Sequence, residues 1–120
     1  MNVCTLSGKL VDNAVVNGAE FKALFFTVLT KYGYNTTEKK DRVAYVPCVM
    51  WNPNQEIEKL LVENGKGLWI EVEGRVARSS YEENGQRKFN TEVVVKNRTL
   101  NVLKRNGTGH GESIEKGASQ

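Results

Sequence analysis

At 120 residues, with 39% hydrophobic and 26% charged side chains, the chain has material for one compact domain and little for a second core. Its formal net charge of +3 leans basic, an excess too small to select a partner by itself. The opening "MNVCTLSGKLVD" has no basic region leading into an apolar run, and no stretch approaches the roughly 18 apolar residues of a membrane helix, so a soluble, cytoplasmic protein without a membrane partner is expected.

Asn-Gly pairs at 17–18, 64–65, 84–85 and 106–107 punctuate the chain. Both residues tolerate positive φ, which makes each pair a turn candidate. The segments between read as five strands over 2–11, 21–32, 42–51, 68–78 and 87–103, rich in valine, phenylalanine, threonine and tyrosine. Only Cys4 and Cys48 are present. With no CxxC spacing, they read as small apolar residues in a reducing compartment rather than as a disulfide.

In the second strand Leu24, Phe26 and Val28 alternate with Phe25, Thr27 and Leu29. Both sets are largely apolar, and an inward Phe26 places Phe25 on the outer surface. The connection "KYGYNTTEKKDR" (31–42) interleaves Tyr32 and Tyr34 with Lys31, Lys39, Lys40 and Arg42. Such alternation suits unpaired bases stacking on rings while cations follow the phosphates, although a lysine-rich loop can also be merely soluble.

On the third strand Val46, Cys48 and Met50 share one face, and Tyr45, Pro47, Val49 and Trp51 the other. The smaller, more flexible set suits a narrow core, which leaves Tyr45 and Trp51 outside as a binding or subunit surface. Pro47 lacks a backbone donor and predicts a bulge or a local edge. "NPNQEIEKLLVENG" then reads as a short helix, with Asn54 as N-cap, Glu56 and Glu58 in its first turn, and Ile57, Leu60 and Leu61 at helical spacing.

In the fourth strand Ile70, Val72 and Val76 are expected in the core, with Trp69, Glu71, Glu73 and Arg75 opposite. Trp69 reads as a lid over the helix or a subunit contact. A turn at Asn84-Gly85 sets Glu82 opposite Arg87, Tyr81 opposite Lys88 and Ser80 opposite Phe89. The hairpin tip thus carries Arg78, Tyr81, Arg87, Lys88 and Phe89, a composition suited to an arm that wraps a polyanion with stackable bases. Glu82 and Glu83 oppose this unless paired or turned away.

The fold class expected from these elements is all-β with one short helix: an OB-fold, a five-stranded Greek-key barrel with a protruding β-hairpin. Residues 1–103 form that domain. Residues 104–120, rich in glycine and polar side chains, read as a flexible tail that holds the lone His110.

The segments "VCTLSGKLVD", "FFTVLT" and "EGRVARSSYEENGQRKFNTEVVV", with the helix and its "NGKG" exit, resemble the bacterial and bacteriophage single-stranded DNA-binding proteins over most of 2–103. The resemblance implies coating of single strands in replication, recombination and repair. It also implies a homotetramer, with a dimer as the alternative. Stacking residues carried over are Tyr34, Tyr45, Trp51 and Tyr81, joined on surface grounds by Phe25 and Phe89. Phosphate would be neutralised by Lys31, Lys39, Lys40, Arg42, Arg75, Arg78, Arg87 and Lys88.

The chain ends in "EKGASQ", where cellular members usually close on an acidic tip with Pro-Phe. A phage- or plasmid-type protein is therefore expected, and recruitment of replication or recombination proteins is open. Neither a phosphate-cradling glycine loop nor metal-ligand spacing is present, so no catalytic residue, metal or cofactor is expected. The rival reading is an OB-fold primosome-like adaptor whose aromatic surface holds protein.

Overall fold

The computed structural model describes residues 1–105 and 111–113. In chain order these form β1 (Cys4–Leu10), β2 (Val15–Asn17), β3 (Ala23–Asn35), β4 (Lys40–Trp51), α1 (Gln55–Asn64), β5 (Trp69–Glu83), β6 (Gln86–Val95), β7 (Asn101–Arg105) and β8 (Gly111–Ser113). Five of the strands close into a barrel in the order β1, β3, β4, β6, β5 and back to β1. All pairs in that circuit are antiparallel except β4 with β6. This is the expected OB-fold barrel.

Alternation of side chains decides what fills it. Leu24, Phe26 and Val28 of β3, Cys48 and Met50 of β4, Ile70 and Val72 of β5, and Val93 and Val95 of β6 are all buried in one core. Leu61 of α1 joins that core, and Ala14 N–H donates to its carbonyl at 2.8 Å. The helix begins as expected at Asn54, whose side chain accepts from Ile57 N–H at 2.9 Å. Removing this apolar area from water is the main term holding the barrel closed.

Four features depart from the expected elements. The 31–42 connection is strand for most of its length, because β3 and β4 continue as a hairpin arm whose register runs out to Asn35↔Lys40. A register shift between Lys31 and Gly33 inserts Tyr32 as an extra residue. Pro47, of the two expected outcomes, makes no bulge but does lie at a local edge. It pairs with Thr27 in unbroken register and sits just before β4 begins its pairing with β6 at Cys48↔Val93.

Val76 is 45% exposed rather than buried. The β1–β5 ladder ends at Cys4↔Gly74, so beyond that point β5 leaves the barrel with β6 as its only paired strand, while the Asn2 side chain bonds the Val76 backbone on the other edge at 2.8 and 3.0 Å. Finally, the strand expected over 87–103 is two strands. Lys96 N–H bonds Glu73 O, Thr99 N–H bonds Lys96 O, and Arg98 takes φ 74, which turns the chain before β7 resumes along β5. The backbone of β7 continues past 103 and pairs with β8, Lys104↔Glu112 and Arg105↔Gly111. Most of the expected tail, including His110, lies outside the described residues.

Candidate nucleic-acid interface

The β3–β4 and β4–β6 registers sort the outer surface. Phe25 lies opposite Val49, Val49 beside Val94, and Val94 opposite Arg75, while Val15 of β2 flanks Phe25. Residues paired this way point to the same face. The face therefore carries one row from Val15 to Arg75 across five strands. The neighbouring positions on β4 are Tyr45, opposite Leu29, and Trp51, opposite Ala23.

Tyr45 is 63% exposed and Trp51 50%, so both rings stand outside the core. Phe25 is also exposed at 37%. Val49 differs from the outward reading in being buried, at 1%, although its side chain lies outside the main core cluster. Its cross-strand neighbours Phe25 and Val94 flank it on both sides. The strand end that presents Trp51 is clasped. Asn97 Nδ2 donates to Trp51 O at 3.1 Å, and Asn52 exchanges bonds with the Lys22 backbone at 2.7 and 3.1 Å.

The extra residue in the β3–β4 arm changes which ring joins this face. Without it, Tyr34 would share parity with Phe26 and Val28. With Tyr32 bulged out, Tyr34 pairs with Asp41 and lies on the face of Val43 and Tyr45. Lys31 is there too, its Nζ 3.6 Å from Asp41 Oδ2.

The β5–β6 hairpin follows the expected register, with Ser80↔Phe89, Tyr81↔Lys88 and Glu82↔Arg87. Its turn residues Asn84 and Gly85 take φ 54 and 78. Both positive values suit the right-handed twist of the arms, and Gly85 meets no Cβ penalty there. Tyr81 and Lys88 continue the face of Arg75 and Val94.

Phe89, Arg78 and Arg87 lie on the opposite side of the hairpin. There the Arg78 guanidinium sits 3.9 Å over the Phe89 ring, a cation–π stack. Arg87 donates to Ser80 Oγ at 3.1 Å rather than pairing with Glu82, and Glu83 is taken by Lys88 at 3.9 Å. Lys40 is paired with Glu38 at 3.4 Å, and it shares with Arg42 the inward parity of β4. Lys39 sits in the turn of that arm with φ 58. Among the described residues Lys39, Arg42 and Arg75 have no carboxylate partner.

All the predicted residues but Lys39, which sits in the turn between β3 and β4, thus fall into two groups. Phe25, Tyr34, Tyr45, Trp51, Tyr81, Lys31, Arg75 and Lys88 share one face, whereas Phe89, Arg78, Arg87, Lys40 and Arg42 are on the reverse of the two arms. The ion pairs on Lys31, Lys40 and Lys88 are exposed. Such pairs are worth about 0–1 kcal/mol, so phosphate can displace their carboxylates cheaply.

Burial pushes the Cys48 thiol up to about 12, with Cys4 and Glu92 adding to the effect. Cys4 is half-buried, and neither cysteine is in a disulfide. Among the described residues no three His, Cys, Asp or Glu side chains gather as a metal site, and no helix is long and apolar enough to cross a membrane.

A closed five-stranded barrel with a helix between its third and fourth barrel strands, arms projecting from two hairpins and rings on one outer face defines an OB-fold binding protein. The profile of the single-strand binding protein family matches residues 1–102, and the chain belongs to that family, whose members are DNA-binding proteins rather than enzymes. Among solved structures, the chain is similar to "Plasmodium falciparum SSB complex with ssDNA", at 20% identity and TM-score 0.68, over 87% of this chain and 96% of that one. A search of curated proteins gave no significant match.

Proposed function

We propose that this protein binds single-stranded DNA of any sequence, coating strands in replication, recombination and repair, in a phage- or plasmid-type setting. The observation that carries the reading is the outer face itself: Tyr34, Tyr45, Trp51, Tyr81 and Phe25 exposed together with Lys31, Arg75 and Lys88 interleaved among them. Stacked bases gain about 1–3 kcal/mol each on such rings, and the cations replace the counterions of the phosphates. Family membership and the likeness to a single-strand complex support the same conclusion.

One OB barrel offers a short groove. Assembly into a homotetramer lets one strand engage several barrels, and it is the oligomer we favour over a dimer. Replication or recombination proteins are the partners that such a coat would meet. Trp51→Ala is expected to weaken oligo-dT binding by about 1–3 kcal/mol, measured by equilibrium titration with duplex DNA as competitor. Retention of full affinity by this variant, or equal competition by duplex, would contradict the reading.

A further inference from the structure

A cavity of about 370 Å³ lies between the β1–β2 connection and strands β3, β4 and β6. Phe25 and Pro47 supply apolar walls, while Asp12, Asn13, Asn90 and Glu92 supply the polar rim. Phe25, Pro47, Asn90 and Glu92 all belong to the outer face by register, so the cavity adjoins the rings described above. Its volume falls in the range of small-ligand pockets, enough for one nucleobase.

The rim has a defined hydrogen-bonding sense. Glu92 is half-buried and, among the described residues, has neither a cation nor a hydrogen-bond donor as partner. Asn13 Oδ1 is occupied by Lys66 N–H at 2.8 Å, which leaves its Nδ2 as a donor. Asp12 Oδ1 takes Asn13 N–H at 2.9 Å and keeps its second oxygen as an acceptor. Two carboxylates repel phosphate, so the sugar–phosphate path is disfavoured here and a base is the part of the strand that suits this cavity. A carboxylate accepts from an exocyclic amino group and opposes a carbonyl.

Resting on the single-stranded DNA reading above, we infer that this cavity, through Glu92 beside Phe25 and Pro47, takes one unpaired base and favours one that carries an exocyclic amino group, cytosine, adenine or guanine, over thymine. Thymine has no amino group, and its one ring donor, N3–H, lies between two carbonyl oxygens that the carboxylate opposes.

The test is competition between oligo-dC and oligo-dT of equal length at mildly alkaline pH, on the full chain and on Glu92→Gln. The amide of that variant can donate to thymine O4. Removing a negative charge raises affinity for every strand, so the readout is the ratio of the two affinities. The dC-to-dT ratio is expected to fall by about threefold or more in Glu92→Gln, the scale of one lost base contact. Glu82→Gln at the hairpin tip makes the same charge change outside the cavity and should leave the ratio unmoved. A ratio unchanged in Glu92→Gln, or shifted equally by Glu82→Gln, overturns the inference while leaving strand binding intact. Failure of both oligonucleotides to bind in dilute buffer would instead overturn the functional reading, and this inference with it.

Discussion

Single residues in this protein are assigned their roles mainly by parity. Tyr45 and Trp51 could be placed outside from the sequence because their strand offers two sets of unequal bulk, and a narrow barrel accepts the smaller. Val49 shows the limit of that rule, since a side chain on the outer face can still be covered by its row neighbours Phe25 and Val94. Cys48 illustrates burial with a chemical consequence. Its thiol is held up to about 12 by burial, Cys4 and Glu92, against an ordinary value of 9.0, so it stays protonated and inert at neutral pH. Alkylation of the native protein is expected to reach the half-buried Cys4 well before Cys48, as peptide mapping would show. The same shift gives a pH dependence. Between the two values the unfolded chain has lost the proton that the folded one keeps, so the unfolded state binds fewer protons and stability falls as pH rises. That contribution is complete below about pH 9, and the loss across the alkaline range should be smaller in Cys48→Ala, as urea midpoints measured in parallel would reveal.

Elements were legible where local chemistry names them. Asn84-Gly85 fixes a two-residue turn, and with it the register of every pair along the β5–β6 arm. Asn54 likewise announces α1. The turn after β6 escaped because it is built from Lys96, Asn97, Arg98 and Thr99 with no glycine, and its positive φ falls on Arg98. The bulge at Tyr32 escaped for a different reason: a bulge is a relation between two strands, and neither strand's own sequence records it. Its effect can be tested by changing the count of residues. Inserting one threonine between Arg42 and Val43 would supply the missing partner for Tyr32 and turn Tyr34 to the other face. In that background Tyr34→Ala should have no further effect on oligo-dT affinity. Deleting Tyr32 instead removes the extra residue and leaves Tyr34 opposite Asp41, so there Tyr34→Ala should still cost about 1–3 kcal/mol. Equal effects of Tyr34→Ala in both backgrounds would refute the role given to the bulge.

At the scale of the whole molecule, the barrel and its helix were readable because closure demands a repeated pattern of apolar residues that five strands supply together. The division of candidate residues between two sides of the arms was not readable, because it depends on registers between strands distant in sequence. The resulting surface joins two hairpin arms to one barrel face, with cations that are either free or lightly held. On the function proposed above, this surface works by stacking rings on bases while exchanging counterions for cationic side chains. Titrating the protein with oligo-dT across a series of salt concentrations, followed by tryptophan fluorescence, decides the matter. We expect quenching, with the logarithm of affinity falling linearly against the logarithm of salt at about −0.7 per phosphate neutralised. Binding indifferent to salt, or no binding even in dilute buffer, would contradict it.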